Sequence, residues 1–114
     1  MRIDAVSDAT FTAEVLESEK PVLVDSTAAW CPPCRAMNPI LDDLSAERDD
    51  IKIVSVDVDS EQELASQWGV LGMPTFILFH NGAPIQQAPC VEGIAYHAEH
   101  HRDRKWRAAE RHRR

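Results

Sequence analysis

Two cysteines separated by two prolines are the residues whose types and spacing allow chemistry. They stand in the segment AAWCPPCR as Cys31 and Cys34. A Cys-x-x-Cys pair can exchange electrons as a dithiol and a disulfide, it can supply half of a zinc site, or it can be two inert thiols. The elements around the pair must distinguish these alternatives.

Cys31 is predicted to lie at the start of a helix. The β-branched run PVLVDST, residues 21–27, predicts a strand, and a helix from about residue 32 to the late forties follows it. That helix is indicated by apolar residues at helical spacing: Met37, Ile40, Leu41 and Leu44. The unpaired N–H groups and the positive dipole end at a helix start stabilise a thiolate.

The two prolines suit the first turn of this helix. Pro32 and Pro33 lack an N–H, which has no partner within the helix at these positions. They form a rigid turn that holds both sulfurs at bonding distance and leave the Cys34 N–H to stabilise the Cys31 sulfur. We therefore expect Cys31 to be the exposed nucleophile, and Cys34, one turn inside, to be the buried resolving thiol.

A carboxylate in an apolar strand is the third candidate. Asp25 lies six residues before Cys31 in the run VLVDS. If it is buried beneath the helix tip, it is placed to accept the proton of Cys34 as that thiol attacks. The alternative is a carboxylate that is tolerated at a strand edge.

A zinc site and inert thiols explain the cysteines less well. Zinc needs four ligands, and Cys90 and His80 are the nearby candidates beyond the pair, with no second Cys-x-x-Cys. Buried structural thiols have no evident need for Trp30 and two prolines beside them. We therefore predict no metal.

The remaining elements predict an α/β fold. In chain order they are a helix at 11–18, the strand at 21–27, the helix from residue 32, a strand at 51–59, a helix at 60–70, a strand at 75–80 and a strand at 83–88. The helix at 60–70 is predicted to begin at a Ser60 cap and to stop at Gly69. An Asn-Gly turn is predicted to join the last two strands. Strands that alternate with helices indicate a mixed sheet that is covered on both faces.

Composition limits the class of protein. The 114 residues suit one domain, and no apolar run approaches the roughly 20 residues of a membrane span. Acidic residues stand where a signal peptide would be apolar, so we expect a soluble, unexported chain. Residues 1–88 carry a net charge of −10 and residues 89–114 one of +3. The acidic body argues against nucleic acid as the main partner.

Residues 1–88 resemble the thioredoxin family. The resemblance lies in VLVD before WCPPCR, then NPILDDL, IVSVDVD and GVLGMPTFILFHNG, in the family's order and close to its spacings. It implies the thioredoxin fold, a central mixed sheet flanked by helices. It also implies a cytoplasmic, monomeric protein-disulfide reductase without a cofactor, whose Cys31–Cys34 disulfide is recharged by thioredoxin reductase.

The resemblance also implies where substrate binds. Met73–Pro74 is expected to be a cis peptide packed against the cysteines, and the backbone before Pro74 to pair with an extended segment of the target. An ordinary trans proline that opens a strand is the alternative. The expected substrate-binding residues are Trp30, Pro32, Pro33, Met73 and Pro74.

Four residues of the body depart from the family's usual pattern. Pro32 replaces the Gly of Trp-Cys-Gly-Pro-Cys, which makes the motif more like that of tryparedoxin and nucleoredoxin, although those proteins are longer. Ser26 and Thr27 stand where two aromatic residues are common. Ser55 stands where a Lys often pairs with the buried Asp.

The segment 89–114 departs most. It is basic and rich in His and Arg, so we expect the final helix to be atypical or missing, and the segment to be an out-of-frame or unrelated end. His97, His100 and His101 form either a weak metal site or a solvated polar stretch. The basic cluster 102–114 is a weak candidate for an anionic surface or nucleic acid. Cys90 is predicted to be a free thiol.

A disulfide reductase is not the only function compatible with this sequence. If the altered end destabilises the domain, the protein is instead a non-catalytic interaction or chaperone-like module that keeps the fold.

Overall fold

The computed structural model of the protein describes residues 3–90. Within this range lie β1 (Asp4–Ala5), a π-helical turn (Thr12–Leu16), β2 (Val22–Thr27), α1 (Pro32–Glu47), β3 (Lys52–Asp57), α2 (Gln62–Gln67), β4 (Thr75–His80) and β5 (Ala83–Ala88). None of these helices is long and apolar enough to cross a membrane. The predictions for the final helix, the histidine cluster and the basic cluster concern residues 91–114 and lie outside the described residues.

The strands form one mixed sheet in the order β1-β3-β2-β4-β5 across the described residues. β2 pairs with β3 in parallel and with β4 in antiparallel orientation, so that Val24 lies opposite Val54 and Ile77. β2 is buried from Val22 to Ser26 because helices cover both of its faces. The predicted α/β fold with a mixed central sheet is confirmed.

β1 is a strand that the sequence pattern does not predict. It consists of two residues, Asp4 and Ala5, which pair in parallel with Val54 and Ser55. A strand of two residues shows no alternation of apolar and polar side chains, so its position depends on the partner strand.

The helix predicted at 11–18 is only the π-helical turn. Its defining hydrogen bond joins the Glu17 N–H to the Thr12 carbonyl at 2.9 Å, five residues back. This turn lies under the tip of the β4–β5 hairpin, where a Cβ on Gly82 would meet the Leu16 carbonyl at 3.2 Å. The hairpin is as predicted: Asn81 and Gly82 have φ angles of 55° and 80°, the left-handed values that a tight two-residue turn requires.

The predicted Ser60 cap of α2 is wrong. The helix begins at Gln62, and Asp57 at the end of β3 organises the turn before it. The Asp57 Oδ1 accepts a hydrogen bond from the Asp59 N–H at 2.9 Å, and the Asp57 carbonyl accepts one from the Glu61 N–H at 2.8 Å. These bonds make Glu61 the N-cap residue, and no side chain, the Ser60 hydroxyl included, caps the helix.

The predicted stop of α2 at Gly69 is confirmed. Gly69 has a φ of 71°, a left-handed value that ends a helix at little steric cost. The Val70 N–H then donates to the Ala65 carbonyl at 2.8 Å, across the end of the helix. The chain leaves α2 here and turns toward β4.

The hydrophobic core lies on both faces of the sheet. The cluster on the face toward α1 comprises Ile3, Leu23, Leu41, Leu44, Ile51, Ile53, Phe76, Leu78 and Ala88. The cluster on the opposite face comprises Val6, Phe11, Val15, Val22, Val24, Val54, Val56, Leu64, Ile77 and Phe79. Successive side chains of β2 alternate between these clusters, which assigns Asp25, two residues after Leu23, to the α1 face.

The apolar stripe of α1 is narrower than predicted. Leu41 and Leu44 are buried, and Met37 packs against their cluster, as expected. Ile40 is 39% exposed, because the helix turns Cys34, Met37, Leu41 and Leu44 toward the sheet and leaves Ile40 on the flank. The stripe that faces the core therefore begins at Cys34.

Candidate active site

Cys31 and Cys34 form a disulfide at the start of α1. Cys31 is the N-cap residue, with extended backbone angles (φ −96°, ψ 104°), and Cys34 lies one helical turn later. Their Cα atoms are 5.3 Å apart, because residues three apart on a helix are neighbours. The predicted N-cap position of Cys31 is confirmed.

One backbone donor serves the Cys31 sulfur in the described part of the chain. The Cys34 N–H donates to the Cys31 Sγ at 3.2 Å. Pro32 and Pro33 occupy the first two helical positions and have no N–H to offer. This arrangement is the one that the sequence predicts for the Cys-Pro-Pro-Cys segment.

The predicted exposure of Cys31 is wrong for the disulfide form. Cys31 and Cys34 are each 2% exposed, whereas Trp30, Pro32 and Pro33 around them are exposed, Trp30 to 61%. The two cysteines are covered by apolar side chains from the loop before α1, the end of β3, α2 and the loop before β4: Ala28, Val58, Ala65, Val70 and Met73. Sequence spacing places Cys31 at the tip but does not reveal the loops that close over it.

Trp30 is held in place by a residue that the sequence pattern does not single out. Its Nε1 donates to the Oδ2 of Asp59 at 2.8 Å. Asp59 lies just past the end of β3, which runs parallel to β2, so both strands end at the same edge of the sheet. The sequence feature that could have predicted this contact is the run DVD at residues 57–59. Residues that directly follow one parallel strand lie beside the residues that follow the neighbouring strand.

The Met73–Pro74 peptide is cis, as the resemblance implied, and the trans alternative is wrong. Met73 packs against the cysteine cluster. The Thr75 hydroxyl donates to the Gly72 carbonyl and closes the turn that precedes β4. Thr75 lies opposite Ser26 in the antiparallel register, which brings this turn to the edge of the sheet where α1 begins.

Asp25 is buried in the central strand, 2% exposed, so the strand-edge alternative is wrong. Burial raises the pKa of its carboxyl from 3.8 to about 6, because the charged form is poorly solvated there. Its Oδ1 has no hydrogen-bond partner among the described residues. Neutral Ser55 lies directly opposite it on β3 and is itself buried.

The structure separates His80 from the cysteines. His80 ends β4 at the hairpin, whereas Thr75 begins that strand beside the site, and five strand residues span roughly 17 Å. Cys90 is a free, partly buried thiol, as predicted. Within residues 3–90, no three His, Cys, Asp or Glu side chains are grouped as metal ligands would be. His80 is therefore too far from Cys31 and Cys34 to bind a zinc ion together with them.

Comparisons with known proteins agree with this geometry. The family model described as Thioredoxin matches residues 2–96. The thioredoxin of Mycobacterium tuberculosis is 42% identical over 91 residues, which cover 79% of this chain and 78% of that protein. Thioredoxin 1 of Synechococcus elongatus is 47% identical over 82 residues, 71% of this chain and 77% of that protein.

A third relative is much longer. The bifunctional thioredoxin reductase/thioredoxin of Mycobacterium leprae is 42% identical over 91 residues, which cover 79% of this chain. The match spans only 20% of the length of that protein.

Proposed function

Because this chain belongs to the thioredoxin family and is a thiol–disulfide oxidoreductase, we propose that it reduces disulfide bonds in other proteins, with Cys31 attacking and Cys34 releasing the product. The observation that carries the proposal is the helix-capping position of Cys31, whose sulfur accepts the Cys34 N–H at 3.2 Å. A donor and a helix N-terminus at this sulfur favour its thiolate, which is the attacking species.

The proposed cycle transfers two electrons. The Cys31 thiolate attacks one sulfur of the target disulfide, forms a mixed disulfide and releases the other target sulfur as a thiolate. Cys34 then loses its proton and attacks the Cys31 sulfur, which frees the second target thiolate and forms the Cys31–Cys34 disulfide. The target is reduced by two electrons, and the cysteine pair is oxidised by two.

Asp25 is the proposed acceptor of the Cys34 proton. A carboxyl with a pKa of about 6 is mostly ionised at neutral pH, yet it is a stronger base than an exposed carboxylate. Asp25 is on the sheet face that α1 covers, and Cys34 is the first residue of α1 that faces inward. This placement supports a role as the base, and a water molecule between the two groups is compatible with it.

The target is proposed to bind across the edge of the sheet. Trp30, Pro32 and Pro33 are exposed at the helix tip, and Met73 and Pro74 are partly exposed beside the cysteines. An extended target segment pairs with the backbone before Pro74, as in other strand-addition complexes. Because Cys31 is covered in the disulfide form, we propose that reduction of the pair loosens this cover.

Thioredoxin reductase is the proposed electron donor. The name of the Mycobacterium leprae relative joins a reductase and a thioredoxin in one chain, which supports this pairing. We propose that the protein acts as a monomer in the cytoplasm, and that the cysteine pair alone carries the electrons, without a bound cofactor.

The direct test is dithiothreitol-dependent reduction of insulin, followed by the turbidity of the released chain. We expect the purified protein to accelerate the reaction and the variant Cys31→Ser to give the background rate. If the unaltered protein matches that background and still suppresses aggregation of an unfolded client, the non-catalytic, chaperone-like alternative replaces the proposal.

A further inference from the structure

Leu71 is the most exposed large apolar side chain of the described residues. It is 99% exposed, compared with 48% for Ile85 and 39% for Ile40. Scattered apolar side chains are ordinary on protein surfaces, so exposure alone does not mark a binding site. The position of Leu71 relative to the disulfide is what distinguishes it.

Leu71 lies in a loop whose two ends pack against the cluster that contains the cysteines. Val70, on one side of it, and Met73, two residues after it, both contact the cluster that contains Cys31 and Cys34. Adjacent Cα atoms are about 3.8 Å apart, so Leu71 is one residue away from a side chain that packs against the cluster containing the disulfide.

Hydrogen bonds fix this loop at both ends. The Val70 N–H donates to the Ala65 carbonyl at 2.8 Å, which ties the start of the loop to α2. The Thr75 hydroxyl donates to the Gly72 carbonyl and ties its end to β4. Leu71 is therefore presented to solvent from an anchored backbone, where an approaching chain can cover it at little cost in loop ordering.

An acidic surface adjoins the same site. Residues 57–63 contain four Asp or Glu and no Lys or Arg. Asp59 is exposed, and its Oδ2 is 2.8 Å from the Trp30 Nε1, so this charge lies beside the helix tip. Arg35, in the first turns of α1, donates to the Ala29 carbonyl and contributes one opposing charge nearby.

We propose that Leu71 and Asp59 determine which targets the protein reduces, by favouring cysteine-containing segments that carry an apolar side chain and a Lys or Arg close to the cysteine. The apolar side chain of the target covers Leu71, and its cation is attracted to Asp59 and the neighbouring acidic residues. This selectivity rests on the proposed function, since it describes the targets of the same cysteine pair.

The test uses a panel of disulfide-bonded peptides that differ at one residue beside the cysteine, which is Leu, Ser, Lys or Glu. For the unaltered protein we expect kcat/KM to be about fivefold higher for the Leu peptide than for the Ser peptide, the scale of about one methylene group removed from water. Leu71→Ser is expected to bring this ratio close to one. Ile85→Ser, a matched loss of an exposed apolar side chain on β5, is expected to leave it unchanged.

The charge component is tested with the Lys and Glu peptides. The Lys peptide is expected to be preferred at low ionic strength, with a preference that shrinks as salt screens the charges. Asp59→Asn removes the charge but keeps a carbonyl that can accept the Trp30 hydrogen bond, so a reduced preference in this variant reports charge rather than the position of Trp30.

The outcomes separate selectivity from activity. If the unaltered protein reduces all four peptides at the same rate, the selectivity is overturned and the disulfide reductase remains. If Leu71→Ser keeps the full Leu-to-Ser ratio, the role of Leu71 is overturned. If the unaltered protein reduces none of the peptides, the proposed function fails and the selectivity fails with it.

Discussion

A buried charged group lies at each end of α1, and the two groups differ in whether an opposite charge pairs with them. At its C-terminal end Arg48 is 4% exposed, and its Nε donates to the Asp50 Oδ1 at 2.9 Å while its Nη2 binds the Oδ2 of the same carboxylate. At its N-terminal end Asp25 is 2% exposed and lies beneath the helix beside a neutral serine. The Arg48 guanidinium thus forms a bidentate ion pair, whereas Asp25 is kept in position by the backbone pairing of its strand.

This difference separates a charge that is paired in the structure from one that we propose to be reactive. The guanidinium at the end of α1 also suits the negative end of the helix dipole, and the Asp50 carboxylate supplies the partner that a buried charge requires. The carboxyl at the other end has its pKa raised to about 6 by burial, which is a cost to stability that the fold retains. A buried charge that the structure leaves poorly solvated is more informative about chemistry than one that it pairs.

The largest effect is expected at the reactive end, from Cys34→Ser. Attack by Cys31 still occurs in this variant, but the second thiol that frees the target is missing. We expect turnover to fall to background and a mixed disulfide with the target to accumulate. Non-reducing gel electrophoresis followed by mass spectrometry detects the adduct, and the double variant Cys31→Ser/Cys34→Ser is the control that forms none. Normal release of the target by Cys34→Ser would reverse the assigned roles.

Asp25→Asn removes the unpaired charge, and its effect on stability follows from the pKa. The folded carboxyl holds its proton up to a pH of about 6, whereas the unfolded one loses it near 3.8. The folded state therefore binds more protons between these pH values, and stability falls as the pH rises through them. A shift of this size costs about 3 kcal/mol above pH 6, at 1.36 kcal/mol for each pKa unit.

We therefore expect oxidised Asp25→Asn to be more stable than the unaltered protein by up to about 3 kcal/mol at pH 7.5, and equally stable near pH 3.5. Urea denaturation at both pH values measures this difference. The same variant is expected to reduce insulin more slowly, with a weaker dependence on pH around 6. A stability gain that is the same at both pH values would contradict the ionisation argument.

Asp50→Asn tests the structural end of the helix and is expected to act in the opposite direction. Asp50→Asn leaves the buried Arg48 guanidinium with a neutral and weaker partner, at a cost of about 1.5–3 kcal/mol. The cysteines lie at the far end of α1, so the thiol pKa and the rate of insulin reduction per folded molecule are expected to stay the same. A changed thiol pKa in this variant would show that the two ends are coupled.

Pro32→Gly makes the smallest expected change. It restores an N–H at the first position of α1, beside the Cys31 sulfur, where helix-terminal donors contribute a few tenths of a kcal/mol to about 1 kcal/mol. The pKa of the Cys31 thiol is expected to fall, because the new donor stabilises the thiolate, and the disulfide to become a slightly stronger oxidant. Thiolate absorbance against pH measures the pKa, and Pro39→Ala, which restores an N–H further along α1 and away from the sulfur, is the control. An unchanged or higher pKa would count against the donor argument.

Local sequence predicts the features that depend on neighbouring residues. The N-cap position of Cys31, the stop at Gly69 and the Asn81–Gly82 turn each follow from backbone rules that act over a few residues. The burial of Asp25 is predictable in the same way, because the apolar residues before it form a strand that a sheet covered on both faces must bury.

The features that the sequence does not reveal depend on packing between distant segments. Cys31 is buried because loops from β3 and β4 close over it, and Ile40 is exposed because of the rotation of α1 against the sheet. The contact between Trp30 and Asp59 spans 29 positions along the chain and needs the parallel pairing of β2 and β3. The two residues of β1 are ordered by their neighbour and not by any pattern of their own.

The edge strands of the described sheet bear on how readily the protein aggregates. β1 offers only two residues to a foreign strand, and β5 carries Pro84, which has no N–H, next to a register shift between Leu78 and Phe79 of its partner. Short strands, prolines and bulges are the devices by which natural sheets avoid edge-to-edge aggregation. The described edges therefore disfavour the addition of another extended chain to the sheet, including a target of the proposed disulfide exchange.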